Sequence, residues 1–127
     1  MGLLEAVIEL FRNIKASEQI STTIKGVPEQ LRLDPTKELA IYRVIQELVT
    51  NSIRHSEAQE LLLNVNYLND TLRIEFSDDG KGLTKNESTN GIGFLNMKSR
   101  IEAIQGKISF DSIEEKGFKA FIQIDTK

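Results

Sequence analysis

The chain contains no cysteine and only one histidine, His55. The first absence excludes disulfides, thiol catalysis and thiolate metal sites. The second excludes a multi-histidine metal centre. No apolar run approaches the roughly 20 residues that a bilayer-spanning helix requires, and the N-terminus lacks the basic-then-apolar pattern of a secretory signal. Positive charge is not in excess either: 16 Lys and Arg against 19 Asp and Glu leave a net charge of −3. Bulk electrostatics therefore gives the chain no reason to bind nucleic acid or an anionic membrane, and no direct nucleic-acid partner is expected. Any anion has to be held by a local site. A soluble, reducing, cytoplasmic setting fits these absences best.

What is present is the balance of an ordinary globular domain: 127 residues, 39% apolar and 28% charged. That length predicts a single domain, residues 1–127, able to bury roughly two-thirds of its unfolded surface. Leu4, Val7, Ile8 and Phe11 fall at helical spacing and predict a helix over about Leu3 to Ala16. No capping residue precedes it, so the expectation is a helix that continues from an upstream segment. Ile20 to Lys25 is rich in β-branched residues and alternates with polar ones, the pattern of a short edge strand. Asp34-Pro35 offers an N-cap followed by proline at the first helical position. The longest helix should follow, running to about His55 with Ile41, Val44, Ile45 and Leu48 buried.

Two period-2 runs, Leu61 to Tyr67 and Leu72 to Phe76, flank Asn69-Asp70 and read as a β-hairpin. Polar, glycine-bearing sequence then fills Asp78 to Gly93. Phe94 to Gln105 predicts a helix stopped by Gly106, and Lys107–Ser112 with Phe118–Ile124 a second hairpin. The order α-β-α-β-β-α-β-β implies an α/β, or α+β, two-layer sandwich. About three helices should cover one face of a mixed or antiparallel sheet of about five strands.

Three local features carry chemistry. Glu47, Asn51, Arg54 and His55 stand at i, i+4, i+7 and i+8 on the long helix, one polar stripe beside the apolar face of Val44, Ile45, Leu48 and Ser52. Alone, such a stripe is more often a solvated flank than a site. As a site it offers oxygen ligands for a hard cation and a guanidinium for phosphate. Asp78-Asp79-Gly80-Lys81-Gly82 follows a hydrophobic strand, where a carboxylate is free to accept from a base amine and glycines let the backbone approach a ligand. The same run also suits a plain turn, but no ordered series of acidic ligands continues after it to make a Ca²⁺ loop. Gly91-Ile92-Gly93 opens a helix and exposes backbone N–H groups at the positive end of its dipole, a seat for phosphate. A polar loop precedes it and Asn96 stands where a third glycine would be needed, which excludes a Rossmann fingerprint.

In this order the three features resemble the GHKL nucleotide-binding family of gyrase-type ATPases, heat-shock chaperones, histidine kinases and mismatch-repair ATPases. Gln46 to His55 is similar to the N-box helix, Asp78 to Leu83 to the G1 box, and Gly91 to Met97 to the G2 box. The flanking Tyr42 to Glu47 and Met97 to Gly106 are similar to the sensor histidine kinases that pair with helix-turn-helix response regulators. The resemblance covers nearly the whole chain. It implies a Bergerat-type sandwich that binds Mg·ATP. Asp78 would accept from the adenine amine, with Gly80 and Gly82 closing around the base. Asn51 would ligate Mg²⁺, Gly91 and Gly93 would face the phosphates, and Arg54 and His55 would contact phosphate or ribose. Glu47 matches the carboxylate that orients or deprotonates the attacking group in relatives.

The expected activity is transfer of the γ-phosphoryl group to a histidine on the chain's own upstream dimerisation domain, with a response regulator further along. The parent protein would be a homodimer, membrane-anchored or not, and this piece a monomer. An anti-sigma-type serine kinase and a degenerate nucleotide- or partner-binding module are the alternatives within the fold. Three departures stand out. The last strand begins Gly117-Phe118 where the family often has Gly-Thr, whose hydroxyl joins a water network around the adenine carboxylate. No phenylalanine of the F-box kind precedes Gly91. The segment Leu83 to Asn90, expected to act as a mobile lid that nucleotide orders, is short. The phosphoacceptor is absent as well, since His55 belongs to the N-box.

Overall fold

The computed structural model describes residues 2–18, 20–26, 33–82, 91–113 and 116–126. Three helices and five strands follow one another as α1 (Leu3–Glu18), β1 (Ser21–Lys25), α2 (Pro35–Asn51), β2 (Glu60–Leu68), β3 (Thr71–Asp78), α3 (Ile92–Glu102), β4 (Gly106–Ile113) and β5 (Gly117–Asp125). One sheet holds all five strands in the order β1-β2-β3-β5-β4. β1 lies at its edge, as its composition predicts, and runs parallel to β2 with Ser21 opposite Glu60. The remaining pairs are antiparallel. The sheet is therefore mixed.

Strand alternation decides which face is covered. Leu61, Leu63 and Val65 of β2, Leu72, Ile74 and Phe76 of β3, and Ala120, Ile122 and Ile124 of β5 all turn to the helix side and are buried. Against them the long helix sets Ile41, Val44, Ile45, Leu48 and Val49, and α3 sets Met97 and Ile101. Val7, Phe11 and Ile14 complete the core from α1; the side chain of Leu4 lies outside the described residues. Burying each such side chain contributes about 1.5–3 kcal/mol, so this apolar layer is what fixes the positions of the polar groups at its rim.

The ends of the elements follow local chemistry. Asp34 caps α2 by accepting from Thr36 N–H at 2.8 Å, with Pro35 next in line. The β2–β3 turn places Asn69 and Asp70 at φ 53° and 62°, the left-handed pair that a tight two-residue hairpin needs and that these two residue types tolerate. Sequence offers no cap for α1, but the fold supplies one from afar: Glu38 of α2 accepts from Leu3 N–H at 3.0 Å.

The C-terminal ends of the two later helices differ from expectation, and α3 also begins two residues early, at Ile92. The long helix is α-helical only to Asn51 and continues as a wider π-helical turn, Ser52–Ser56, before Glu57 reverses the chain at φ 56°. α3 ends at Glu102, three residues early, and Gln105 rather than Gly106 takes the left-handed conformation. Gly106 is required for space instead. A Cβ there would lie 2.8 Å from Ile101 Cγ2 and 3.0 Å from the Gln123 carbonyl oxygen, so the helix end presses directly on β4 and β5.

Candidate functional site

The three motifs converge at one end of the helix layer, and α2 is the element that touches both of the others. Its C-terminal end meets the G1 turn. Ser52 Oγ donates to Asp78 Oδ2 at 2.5 Å, while the other carboxylate oxygen accepts from Gly80 N–H at 2.9 Å. Asp78 is only 7% exposed and Ser52 1%. A carboxylate so far from water requires donors, and here each oxygen has one.

The next residue secures the turn to the rest of the fold. Asp79 Oδ1 accepts from Gln59 N–H at 2.8 Å and Glu60 N–H at 2.9 Å, and Asp79 N–H reaches back to the Glu60 carbonyl. The exit from the N-box turn and the G1 turn are thereby pinned together. On the opposite side, β5 approaches so closely that a Cβ on Gly117 would stand 2.4 Å from the Asp78 carbonyl oxygen. Gly82 adopts φ 67° and, like Gly80, is buried.

Phe118 lies opposite Asp78 in the β3–β5 register. Its ring joins those of Phe94 and Phe110, with centroids 5.9 Å from each, and Phe94 meets Phe110 edge-on at 4.9 Å. This aromatic trio ties the first turn of α3 to the last two strands beside the buried carboxylate. A small hollow of about 60 Å³ opens there among Asp78, Asp111, Lys116, Gly117, Phe118 and Lys119.

One turn and a residue earlier on α2, Glu47 faces the G2 glycines: an ideal Cβ on Gly93 would sit 3.5 Å from Glu47 Oε1. Between the helices is a cleft of about 200 Å³ lined by Arg43, Gln46, Glu47, Gly93, Asn96, Met97 and Arg100. Gly91 is the N-cap of α3 and brings no side chain to it. The first N–H groups of that helix have no carbonyl partner within the helix, an arrangement suited to an anion. Asn51 is half-buried between the Glu47 turn and Ser52.

Not every expected residue joins this group. Arg54 is exposed on the π-helical turn, and no contact among the described residues links it to the other motifs. The His55 side chain and the expected lid, residues 83–90, lie outside the described residues. A hollow of about 730 Å³ lies elsewhere, lined by Arg73, Glu75, Lys98, Glu102, Lys107 and Phe121 among others and by none of the motif residues.

Three contributors were not legible as site residues. Ser52 had been grouped with the apolar face of α2, yet a hydroxyl on a buried stripe demands a polar partner, and that was the available signal. Asp79 and Gly117 act through backbone contacts that only the tertiary structure reveals.

A helix-covered mixed sheet with a buried, donor-held carboxylate and a glycine-opened helix both set against the C-terminal part of one long helix has the make-up of a nucleotide-binding α/β sandwich. The family follows from comparison with known proteins. Residues 36–127 match the histidine kinase-, DNA gyrase B- and HSP90-like ATPases, and the chain belongs to that family. It is 32% identical over 128 residues to the sensor histidine kinase ComP of Bacillus subtilis, an alignment covering 98% of this chain and 17% of that protein. With the histidine-protein kinase/phosphatase DegS of the same organism it shares 34% identity over 103 residues, 78% of this chain and 26% of DegS. The chain thus spans about a quarter or less of these two relatives. Among solved structures, the catalytic domain of histidine kinase ThkA superposes with a TM-score of 0.75 at 20% identity, covering 99% of this chain and 93% of that one. Acinetobacter baumannii histidine kinase AdeS gives 0.77 at 19%, with 98% and 64% covered. These likenesses concern the fold.

Proposed function

We propose that the chain is the ATP-binding, phosphoryl-donating domain of a two-component sensor histidine kinase. One observation carries the reading: α2 and the π-helical turn that continues it reach the base seat through Ser52 and Asp78 and the phosphate seat through Glu47 and Gly93. At 1.5 Å rise per residue the two anchor points are about 7.5 Å apart along the helix axis, leaving space for a sugar between them. The names of the relatives, sensor histidine kinases, favour this over a serine kinase of the same fold.

In this reading Asp78 accepts from the exocyclic amine of adenine, and guanine would turn a carbonyl towards the same carboxylate. Gly80 and Gly82 let the G1 backbone close on the base. Gly91 and Gly93 give N–H groups to phosphate oxygens, while Arg54 and His55 complete the phosphate and ribose contacts. Bound Mg·ATP supplies the transferable γ-phosphoryl group. The residues present fit it: the half-buried Asn51 offers a neutral amide oxygen one helical turn from Glu47, a donor suited to a hard cation that keeps its other ligands on phosphate and water. Mg²⁺, which favours a site shared with phosphates and water, would therefore rely on the Asn51 amide oxygen and the nucleotide. Glu47 orients the attacking imidazole and holds its proton at Oε1, and positioning with charge neutralisation does the rest.

The acceptor histidine belongs to a helical dimerisation domain in a homodimeric parent. A response regulator then takes the phosphoryl group. The setting is cytoplasmic, and the isolated 127-residue chain is a single monomeric domain. Mixing the chain with the parent's dimerisation helices and γ-labelled Mg·ATP tests this. Acid-labile, base-stable label should appear on the helices and none on this chain. Label on His55, or none on the helices, contradicts the proposal.

A further inference from the structure

Ser52, the first residue of the π-helical turn that continues α2, holds the Asp78 carboxylate, and we infer that it is a positioning residue for adenine recognition. The inference rests on the proposed adenine seat at Asp78. A carboxylate that is to accept from one particular amine has to present an oxygen in a fixed direction, and Asp78 rotates about its terminal bond unless both oxygens are held. Gly80 N–H holds Oδ1 at 2.9 Å from within the same turn. That bond moves with the turn and cannot register the carboxylate against the rest of the site. Ser52 holds Oδ2 at 2.5 Å from a separate element, 26 residues away in sequence.

Asp78 lies beside an aromatic side chain on β5. Its register partner on β5 is Phe118, which has no hydroxyl and is committed to the ring contacts with Phe94 and Phe110. Ser52 supplies a polar anchor for the carboxylate from the helix side. The π-helical widening that begins at Ser52 starts at the residue that makes this contact. Because Asn51 is the neighbouring residue, the same short stretch of α2 positions both the base acceptor and the proposed metal ligand. Ser52 would thus set the angle between base and phosphates without touching the phosphates itself.

The test compares Mg·ATP with Mg·tripolyphosphate, which has the phosphates but no base, by calorimetry on wild type, Ser52→Ala, Ser52→Thr, Asp78→Asn and Ser52→Ala/Asp78→Asn. Removing one hydrogen bond to a charged group should raise the Kd for ATP about tenfold in Ser52→Ala. The Kd for tripolyphosphate should change less than about twofold. Ser52→Thr, which keeps the hydroxyl, should restore ATP binding, and adding Ser52→Ala to Asp78→Asn should cost little more than Asp78→Asn alone, since the two act as one unit. If Ser52→Ala melts below the assay temperature, Ser52→Cys, of similar volume and a weak donor, takes its place with the same expected readings. Wild-type ATP affinity in the serine variant, or equal weakening for ATP and tripolyphosphate, overturns the inference. If Asp78→Asn itself leaves ATP binding unchanged, the adenine seat is misplaced and the inference falls with it. If Asp78→Asn weakens ATP but Ser52→Ala does not, the seat stands and only the role of Ser52 is wrong.

Discussion

Gly117 sets the distance between the last strand and the backbone of Asp78, so an alanine there should strike stability and site together. Two costs are visible. The residue sits at φ 113°, a region that side-chain-bearing residues avoid and that costs about 1–3 kcal/mol when forced. The added Cβ would also fall 2.4 Å from the Asp78 carbonyl oxygen and 3.5 Å from Asp79 Cα. Those are backbone atoms of a paired strand and its turn, which cannot rotate aside as a side-chain tip would. Overpacking of this kind adds about 1–3 kcal/mol. A backbone shift that relieves the clash also relieves part of the strain, so the sum should be about 3 kcal/mol. For a chain of this length that corresponds to a fall of about 10–15 °C in Tm. Urea and thermal unfolding followed by circular dichroism measure it, with the exposed neighbour Lys116→Ala as a control expected to stay within about 0.5 kcal/mol. Any shift large enough to accommodate the methyl also moves Asp78, so ATP affinity should fall in parallel. A loss below about 1 kcal/mol with unchanged ATP binding would refute the argument.

Asp79→Ala removes the acceptor for Gln59 and Glu60 N–H and should cost about 1–2 kcal/mol, read by urea unfolding; a neutral variant means water replaces the carboxylate freely. Asp34→Ala should cost about 1 kcal/mol through loss of the α2 cap, with the loss confined to stability and absent from ATP affinity. Glu47→Ala should cut phosphoryl transfer to the dimerisation helices by a hundredfold or so while changing ATP affinity little, the scale expected when a general base is lost. Asn51→Ala should damage both through the metal. Equal effects of the two on nucleotide affinity would show that their roles are not divided in this way.

The sheet was legible because its strands alternate on one covered face: Leu61, Leu63 and Val65 and then Leu72, Ile74 and Phe76 announce both the strands and their buried side. The Asn69-Asp70 turn fixed the first hairpin's register. What the residues could not announce was pairing between distant segments, such as β1 running parallel to β2, or β5 inserting between β3 and β4. Helix ends were less legible than helix existence. Gly106 looked like a stop signal, yet the stop is Gln105 and the glycine answers to close packing. At the site, the three motif segments named from sequence lie near one another, as the Ser52–Asp78 bond and the Glu47–Gly93 approach show. The supporting contacts of Ser52, Asp79 and Gly117 depend on tertiary proximity between residues far apart in sequence, which local pattern does not encode.

The proposed function requires Asp78 to read the base, and nucleotide selectivity tests that most directly. Calorimetric titration of the wild-type chain with Mg·ATP and Mg·GTP, repeated on Asp78→Asn, should give ATP binding in the micromolar to millimolar range. GTP should bind at least about tenfold more weakly, and Asp78→Asn should weaken ATP, because the amide loses the charged acceptor. Equal affinity of the wild-type chain for ATP and GTP would contradict the adenine seat and the function built on it.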